Sequence, residues 1–295
     1  LGPMTTDPSQ PALEELSLAS QNSLSQSRDD DDTFLCRIDK SHLLQAFLQH
    51  LQFKKNQTTI VNVCVKTVRF VIEDSRVWQA SLSLGEQIFS EFKASDTVQP
   101  FKVPLSVLLD CLNVYGPSSN SMLLMDYRGY GQPLKITLTG DECVTEINLR
   151  TFDCDDLVYF STDFRRFDIY NKVILQAHIL KESLSELDWS NENLTILMSP
   201  DFFKFSTEGA SGSCHIQFPR DSPAFVEFDC RSTQIFTYKL QHLQPALKAS
   251  GNLATQTQIR MNERGMLCMQ HMLSVPDGKK TCFVDFYLLP SEDEL

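Results

Sequence analysis

The chain has 295 residues, 42% of them hydrophobic and 22% charged, with a formal net charge of −12. That length suits two ordinary domains with sizeable cores, and no apolar run approaches the roughly 20 residues of a membrane span. Such acidity excludes a protein that coats nucleic acid with its whole surface; contact with DNA would need a locally basic face. The nine cysteines are scattered, lack any C-x-x-C pair and mostly lie in apolar patterns. That usage suits a reducing compartment and argues against a disulfide framework or structural zinc. No signal-peptide pattern opens the chain, and Leu1-Gly2-Pro3 ahead of Met4 reads as the remnant of a cleaved expression tag.

Residues 4–32 are polar, Ser-rich and close on Asp29-Asp30-Asp31-Asp32, a composition that cannot offset its ordering entropy by burial. Residues 1–32 are therefore expected to form a disordered tail. Ser9, Ser20 and Ser25 each precede a glutamine. Two readings stand for them, chance in a biased segment and phosphorylation by damage-response kinases that modify serine before glutamine.

Order begins at Thr33. Phe34–Ile38 reads as a strand, Asp39 as an N-cap, and Leu43, Leu44, Phe47, Leu48 and Leu51 as a helical stripe ended by Lys54-Lys55-Asn56. Strands are expected at Thr59–Val65, Thr67–Ile72, Val77–Leu84 and Ile88–Lys93. Leu105, Leu108, Leu109 and Leu112 mark a second helix, entered through Pro104 and stopped by Gly116-Pro117. Met122–Tyr127, Leu134–Thr139 and Val144–Leu149 close this half. In the middle one, Leu134, Ile136 and Leu138 alternate with Lys135, Thr137 and Thr139, as in a sheet with one buried face.

Thr151–Arg166, with Asp153, Cys154, Asp155 and Asp156, breaks the pattern and reads as a solvated connector between domains at 33–150 and 167–295. From Asn171, Val173, Ile174, Ala177, Leu180, Leu184 and Leu187 recur at helical spacing. Strands at Leu194–Met198, Phe203–Thr207 and Cys214–Phe218 follow, turned by Ser199-Pro200-Asp201 and by Gly209-Ala210-Ser211-Gly212. A further strand at Ala224–Asp229 leads to Tyr238. Leu240, Leu243 and Leu247 suggest a fourth helix, in which Pro245 demands the first turn or a kink. Leu253–Met261, Met266–Leu273 and Cys282–Leu289 finish the chain, with a turn at Pro276-Asp277-Gly278.

Both halves thus read strand, helix, meander, helix, three strands, at a spacing of about 130 residues that fits a duplicated domain and not a solenoid. Phe89-Ser90-Glu91-Phe92 is echoed by Phe225-Val226-Glu227-Phe228.

Phe205-Ser206-Thr207-Glu208-Gly209-Ala210-Ser211-Gly212 resembles the Phe-Ser-x-x-Gly-x-x-Gly hairpin of eukaryotic sliding clamps. Phe286-Tyr287-Leu288-Leu289-Pro290 resembles the closing strand of proliferating cell nuclear antigen. Leu105–Gly116, Tyr127–Leu134, Asn171–Gln176, Ser185–Asp188 and Met198–Asp201 are similar to the Rad-one family of checkpoint-clamp subunits, the heterotrimeric nine-one-one ring. The likeness runs from Thr33 to Pro290.

The resemblance implies an α+β DNA-clamp fold: two similar domains, each with antiparallel sheets outside and two helices on the inner face. It implies two sister subunits in a heterotrimer, an ATP-driven loader, sequence-independent duplex DNA in the channel, checkpoint and repair partners, and a nuclear location. No cofactor, metal or membrane is implied. A ring holds DNA by topology, so a few channel lysines on phosphates suffice. The candidates are Lys40, Lys54, Lys55, Lys172, Lys181, Lys239 and Lys248, with His42 and His242 behind them; solubility is the competing role for each. Partner peptides are expected along the connector, at Asp153, Asp155, Asp156, Leu157, Val158 and Tyr159.

Two alternatives remain. A homotrimeric processivity clamp differs in self-association. A metal-dependent 3′–5′ exonuclease, suggested for the family, would use Asp153, Asp155, Asp156 and Asp163, but ligands on a flexible connector would lack rigid support. Gly209–Gly212 lacks the following Lys-Ser/Thr of a phosphate loop and opens a strand, so it reads as a hairpin turn.

Overall fold

A computed structural model describes residues 33–116, 119–154, 157–187, 190–210, 212–249, 253–274 and 281–291. Ser9, Ser20 and Ser25, the 276–278 turn, and Asp155 and Asp156 lie outside the described residues. The first half runs β1 (Phe34–Ile38), α1 (Ser41–Gln49), β2 (Thr58–Cys64), β3 (Thr67–Asp74), β4 (Trp78–Gly85), β5 (Glu91–Ala94), β6 (Phe101–Pro104), α2 (Leu105–Leu112), β7 (Met122–Tyr127), β8 (Leu134–Thr139) and β9 (Val144–Leu149). After β10 (Phe152–Asp153) and α3 (Phe160–Arg165) the same order returns. It runs β11 (Ile169–Gln176), α4 (Ala177–Ser185), β12 (Asn193–Met198), β13 (Phe202–Gly209), β14 (Gly212–Pro219), β15 (Phe225–Cys230), β16 (Gln234–Lys239), α5 (Leu240–Ala249), β17 (Ala254–Asn262), β18 (Leu267–Ser274) and β19 (Thr281–Leu288).

The sheets repeat as well. A five-stranded sheet orders β5-β1-β7-β8-β9 and a four-stranded one β14-β13-β12-β16. Their counterparts are fused into a ten-stranded sheet, β10-β6-β2-β3-β4-β19-β18-β17-β11-β15. The weld is the antiparallel pair β4–β19, in register from Trp78 opposite Leu288 to Ser83 opposite Phe283. Trp78 stacks on Phe286 across it at 5.1 Å between ring centroids. One apolar core therefore runs through both repeats, holding Leu44, Phe47 and Leu48 of α1, Leu105 and Leu108 of α2, Leu180 and Leu184 of α4, and Leu240 and Leu243 of α5. All four of these helices contribute to the same core, which the inward side chains of the strands complete.

Several expectations are corrected. The helix expected from Asn171 begins only at Ala177; Ile169–Gln176 is strand β11. Asn171, Val173 and Leu175 are buried while Lys172, Ile174 and Gln176 face the other way. Three-residue helical spacing and two-residue strand spacing overlap over so short a run, and Ile169, Val173 and Ile174 are β-branched, which favours the strand. Asp39 does not cap α1: the N-cap is Lys40, without a side-chain capping bond. The strand expected over Ile88–Lys93 is a 3-10 turn at Glu86–Ile88 followed by β5. β6 was not expected. Of the two placements open to Pro245, the first turn is excluded, since it is the sixth residue of α5. Finally, the connector is not simply solvated, since it contains β10 and α3.

Candidate nucleic-acid interface and docking face

The ten-stranded sheet has two unlike faces. Val61, Val68, Phe70, Leu82, Val284, Phe286 and Ile259 point into the core with the four longer helices. On the opposite face α3 lies across the weld. Phe160 and Phe164, one helical turn apart, form a separate buried cluster with Met266, Cys268 and Tyr287. Each such ring buried contributes about 1.5–3 kcal/mol of transfer free energy. Polar bonds fix the approach to α3. Gln79 Nε2 donates to Val158 O at 2.7 Å and its Oε1 accepts from Phe160 N at 3.1 Å. Asn62 Nδ2 donates to the Tyr159 hydroxyl at 2.5 Å, and Asn262 Nδ2 to Phe164 O at 3.4 Å.

Burial tunes this face. Tyr287 and Cys268 are pushed above their ordinary ranges by desolvation, the thiol to about 12. Burial also raises Asp285, opposed by the hydrogen bond from Gln270 Nε2 at 2.6 Å and by nearby Arg260, Arg69 and Arg165. These residues were missed because the strands that carry them are far apart in sequence. The Phe160/Phe164 spacing was the one legible signal for α3.

The docking residues expected on the connector are partly engaged. Asp153 lies in β10, paired with β6, and accepts from the Tyr130 hydroxyl at 2.8 Å. Tyr159 is held by Asn62, while Val158 is 42% exposed. Asp163 pairs with Arg166 at 3.0 Å, on a different element from Asp153. Among the described residues no group of three His, Cys, Asp or Glu side chains is arranged to hold a metal.

The expected DNA contacts are redistributed. Only Lys181, exposed on α4, and Lys248, whose side chain lies outside the described ones, sit on the four longer helices. Lys172 is on β11 with its side chain away from the core, paired with Glu227 of β15; it is a sheet lysine, not a helix lysine. Lys40 immediately precedes α1, Lys54 and Lys55 follow it, and Lys239 immediately precedes α5. Lys54 pairs with Asp74 and Lys239 approaches Glu192 at 3.9 Å. His242 links the two lysines: desolvation first, then Lys239 and Lys54, lower its pKa against the pull of Asp74. Beyond Lys181, the described exposed residues of these helices are Gln49, Val107, Asp110, His178, Glu182, Ser185, Gln241 and Gln244, a set with two acids and no lysine or arginine.

A sequence profile described as repair protein Rad1/Rec1/Rad17 matches residues 33–273. The human cell cycle checkpoint protein RAD1 is 35% identical over 277 residues, 91% of this chain and 95% of that protein. The chain belongs to the Rad1/Rec1/Rad17 family. The DNA damage checkpoint control protein rad1 of Schizosaccharomyces pombe is 27% identical over 286 residues, covering 85% of each chain. The crystal structure of PCNA from Thermococcus kodakaraensis superposes with a TM-score of 0.69 at 19% identity, covering 88% of this chain and all of that one. The fold is therefore the clamp fold, α+β with antiparallel sheets, as the family resemblance implied.

Proposed function

We propose that this Rad1-family chain is a non-catalytic subunit of a heterotrimeric ring that encircles duplex DNA and serves checkpoint signalling and repair. One observation carries the reading: the repeat joins itself once inside the chain and leaves the same joint open twice. β4 and β19 form the internal weld, and their repeat counterparts, β14 and β9, are both sheet edges with no further strand among the described residues. A free edge templates pairing, so the edge of one subunit suits the complementary edge of the next. Transferring the register of the weld sets Ile216 opposite Thr145 and His215 opposite Glu146, by analogy with Leu82 opposite Val284 and Ser81 opposite Asp285.

The names of the human and fission-yeast relatives, both checkpoint proteins, support the checkpoint role, and the reading includes a nuclear location and an ATP-driven loader. Channel contact falls to Lys181, Lys248 and the lysines at helix ends, Lys40, Lys54, Lys55 and Lys239; Lys172 belongs to the other face. Checkpoint and repair proteins dock along the connector, at Asp153, Asp155, Asp156, Leu157, Val158 and Tyr159.

Light scattering tests the assembly. The chain alone is expected as a monomer that forms a one-to-one-to-one complex with two sister subunits, and His215→Glu at the exposed edge position is expected to weaken that complex while leaving the monomer folded. A stable homotrimer of the isolated chain would overturn the heterotrimer. In the assembled ring, charge reversal at Lys40 and Lys181 is expected to shorten retention on DNA at physiological salt, whereas reversal at Lys172 has no effect.

A further inference from the structure

The sheet face opposite the four longer helices carries three arginines near one half-buried carboxylate. Arg69 on β3, Arg165 on α3 and Arg260 on β17 all lie within electrostatic reach of Asp285 on β19. Among the described residues none of the three forms an ion pair. Their partners are weak or neutral. Arg69 Nε donates to Ser83 Oγ at 3.2 Å, and Arg260 Nη2 to Cys268 Sγ at 3.3 Å. Arg260 Nε is buried without an acceptor, and its guanidinium lies 5.5 Å from the centroid of Phe164. This local excess of positive charge stands out in a chain of net charge −12.

An apolar surface adjoins it. The strand register sets Ser83 between Arg69 and Phe283, and Phe283 opposite Met272. Phe283 is 38% exposed, on the same face as Asp285. The patch lies beside α3, whose exposed Arg165 is within electrostatic reach of Asp285. Guanidinium groups that lack a carboxylate favour an anionic ligand, and their planar forks match a carboxylate in two-point contact.

We propose that this patch docks an extended peptide segment of a partner protein in which Asp or Glu side chains flank one large apolar residue. The apolar residue packs on Phe283 and Met272, and the carboxylates meet Arg69 and Arg165. The proposal rests on the partner-docking reading and adds to the acidic connector a neighbouring patch with its own chemistry: at this patch acidic segments are selected over basic ones, because a lysine here would face Arg69 and Arg165.

The test is fluorescence anisotropy on the full chain with a short labelled peptide carrying Asp and Glu around a single Leu. A second peptide has Lys in place of each acid. The acidic peptide is expected to bind roughly tenfold or more tightly than the basic one, with affinity falling as salt rises. The double variant Arg69→Glu/Arg165→Glu should invert that preference, Arg69→Gln/Arg165→Gln should abolish it, and Phe283→Ser should weaken the acidic peptide. Equal binding of the two peptides, with loss of both in Val158→Glu, would leave connector docking standing and overturn the charge selection. Binding of neither peptide would overturn both. Binding of a phosphoserine version but not the aspartate version, or displacement of the acidic peptide by a DNA duplex, would also overturn the proposal.

Discussion

The side-chain amide of Gln79 in β4 accepts the backbone N–H of Phe160, 81 positions away, at 3.1 Å. The same amide donates to Val158 O at 2.7 Å, so one buried side chain satisfies the backbone on both sides of Tyr159. Gln79→Ala would orphan one donor and one acceptor on the connector, at a cost of about 1–3 kcal/mol each if they stay buried. The expected outcome is a chain that remains folded but exchanges the amide hydrogens of α3 much faster, with a smaller loss of global stability. Native-state hydrogen exchange makes the comparison, and unchanged protection over Phe160–Arg165 would show that the apolar cluster alone holds the helix.

Gly265 closes the turn between β17 and β18 with φ +76°, and a Cβ there would collide with the ring of Phe236. Its carbonyl also accepts the Tyr238 hydroxyl at 2.6 Å. Gly265→Ala is expected to cost more than the roughly 1–2 kcal/mol of a left-handed backbone alone. Gly131, at φ +73° with open space around the same position, supplies the control. Urea unfolding of the two alanine variants should rank Gly265→Ala as clearly less stable; equal midpoints would mean that Phe236 moves aside freely.

His271 is fully buried in β18, its Nδ1 2.9 Å from Thr257 Oγ1 and the backbone of Ala246 close enough to oppose the effect of burial. Burial holds its pKa down to about 4. Because the folded value lies below the unfolded one, the neutral ring favours the folded state above about pH 6.5. That contribution declines as pH falls toward 4, by up to about 1.4 kcal/mol per pH unit. Denaturant midpoints for the natural chain and for His271→Gln should converge on acidification, the natural chain losing more. Parallel pH profiles would assign the acid sensitivity elsewhere.

Much of the fold is legible in local pattern. β7, β8 and β9 run over the expected residues 122–127, 134–139 and 144–149, and in β7 and β8 every second residue is buried. The order of elements in the two halves is likewise visible, since each repeat carries its own apolar stripes and turns. Where two periods overlap, pattern fails. Asn171–Gln176 fits a helix on paper, yet it pairs with both β15 and β17, and partners that distant leave no mark on the segment itself.

The candidate site divides along the same line. The sequence by itself determined the family, through contiguous blocks such as Leu105–Gly116, together with the duplication, the acidic balance and which residues are lysines. Tertiary structure alone decided where those lysines point. Lys172 and Lys181 are nine positions apart, but one pairs with Glu227 on the sheet and the other is exposed on α4. It also decided that α3 covers the weld and that Arg69, Arg165 and Arg260 come within electrostatic reach of Asp285. The physical reason is range: periodicity is set by neighbours within a turn or a pleat, whereas strand pairing sets side by side residues that the chain holds far apart.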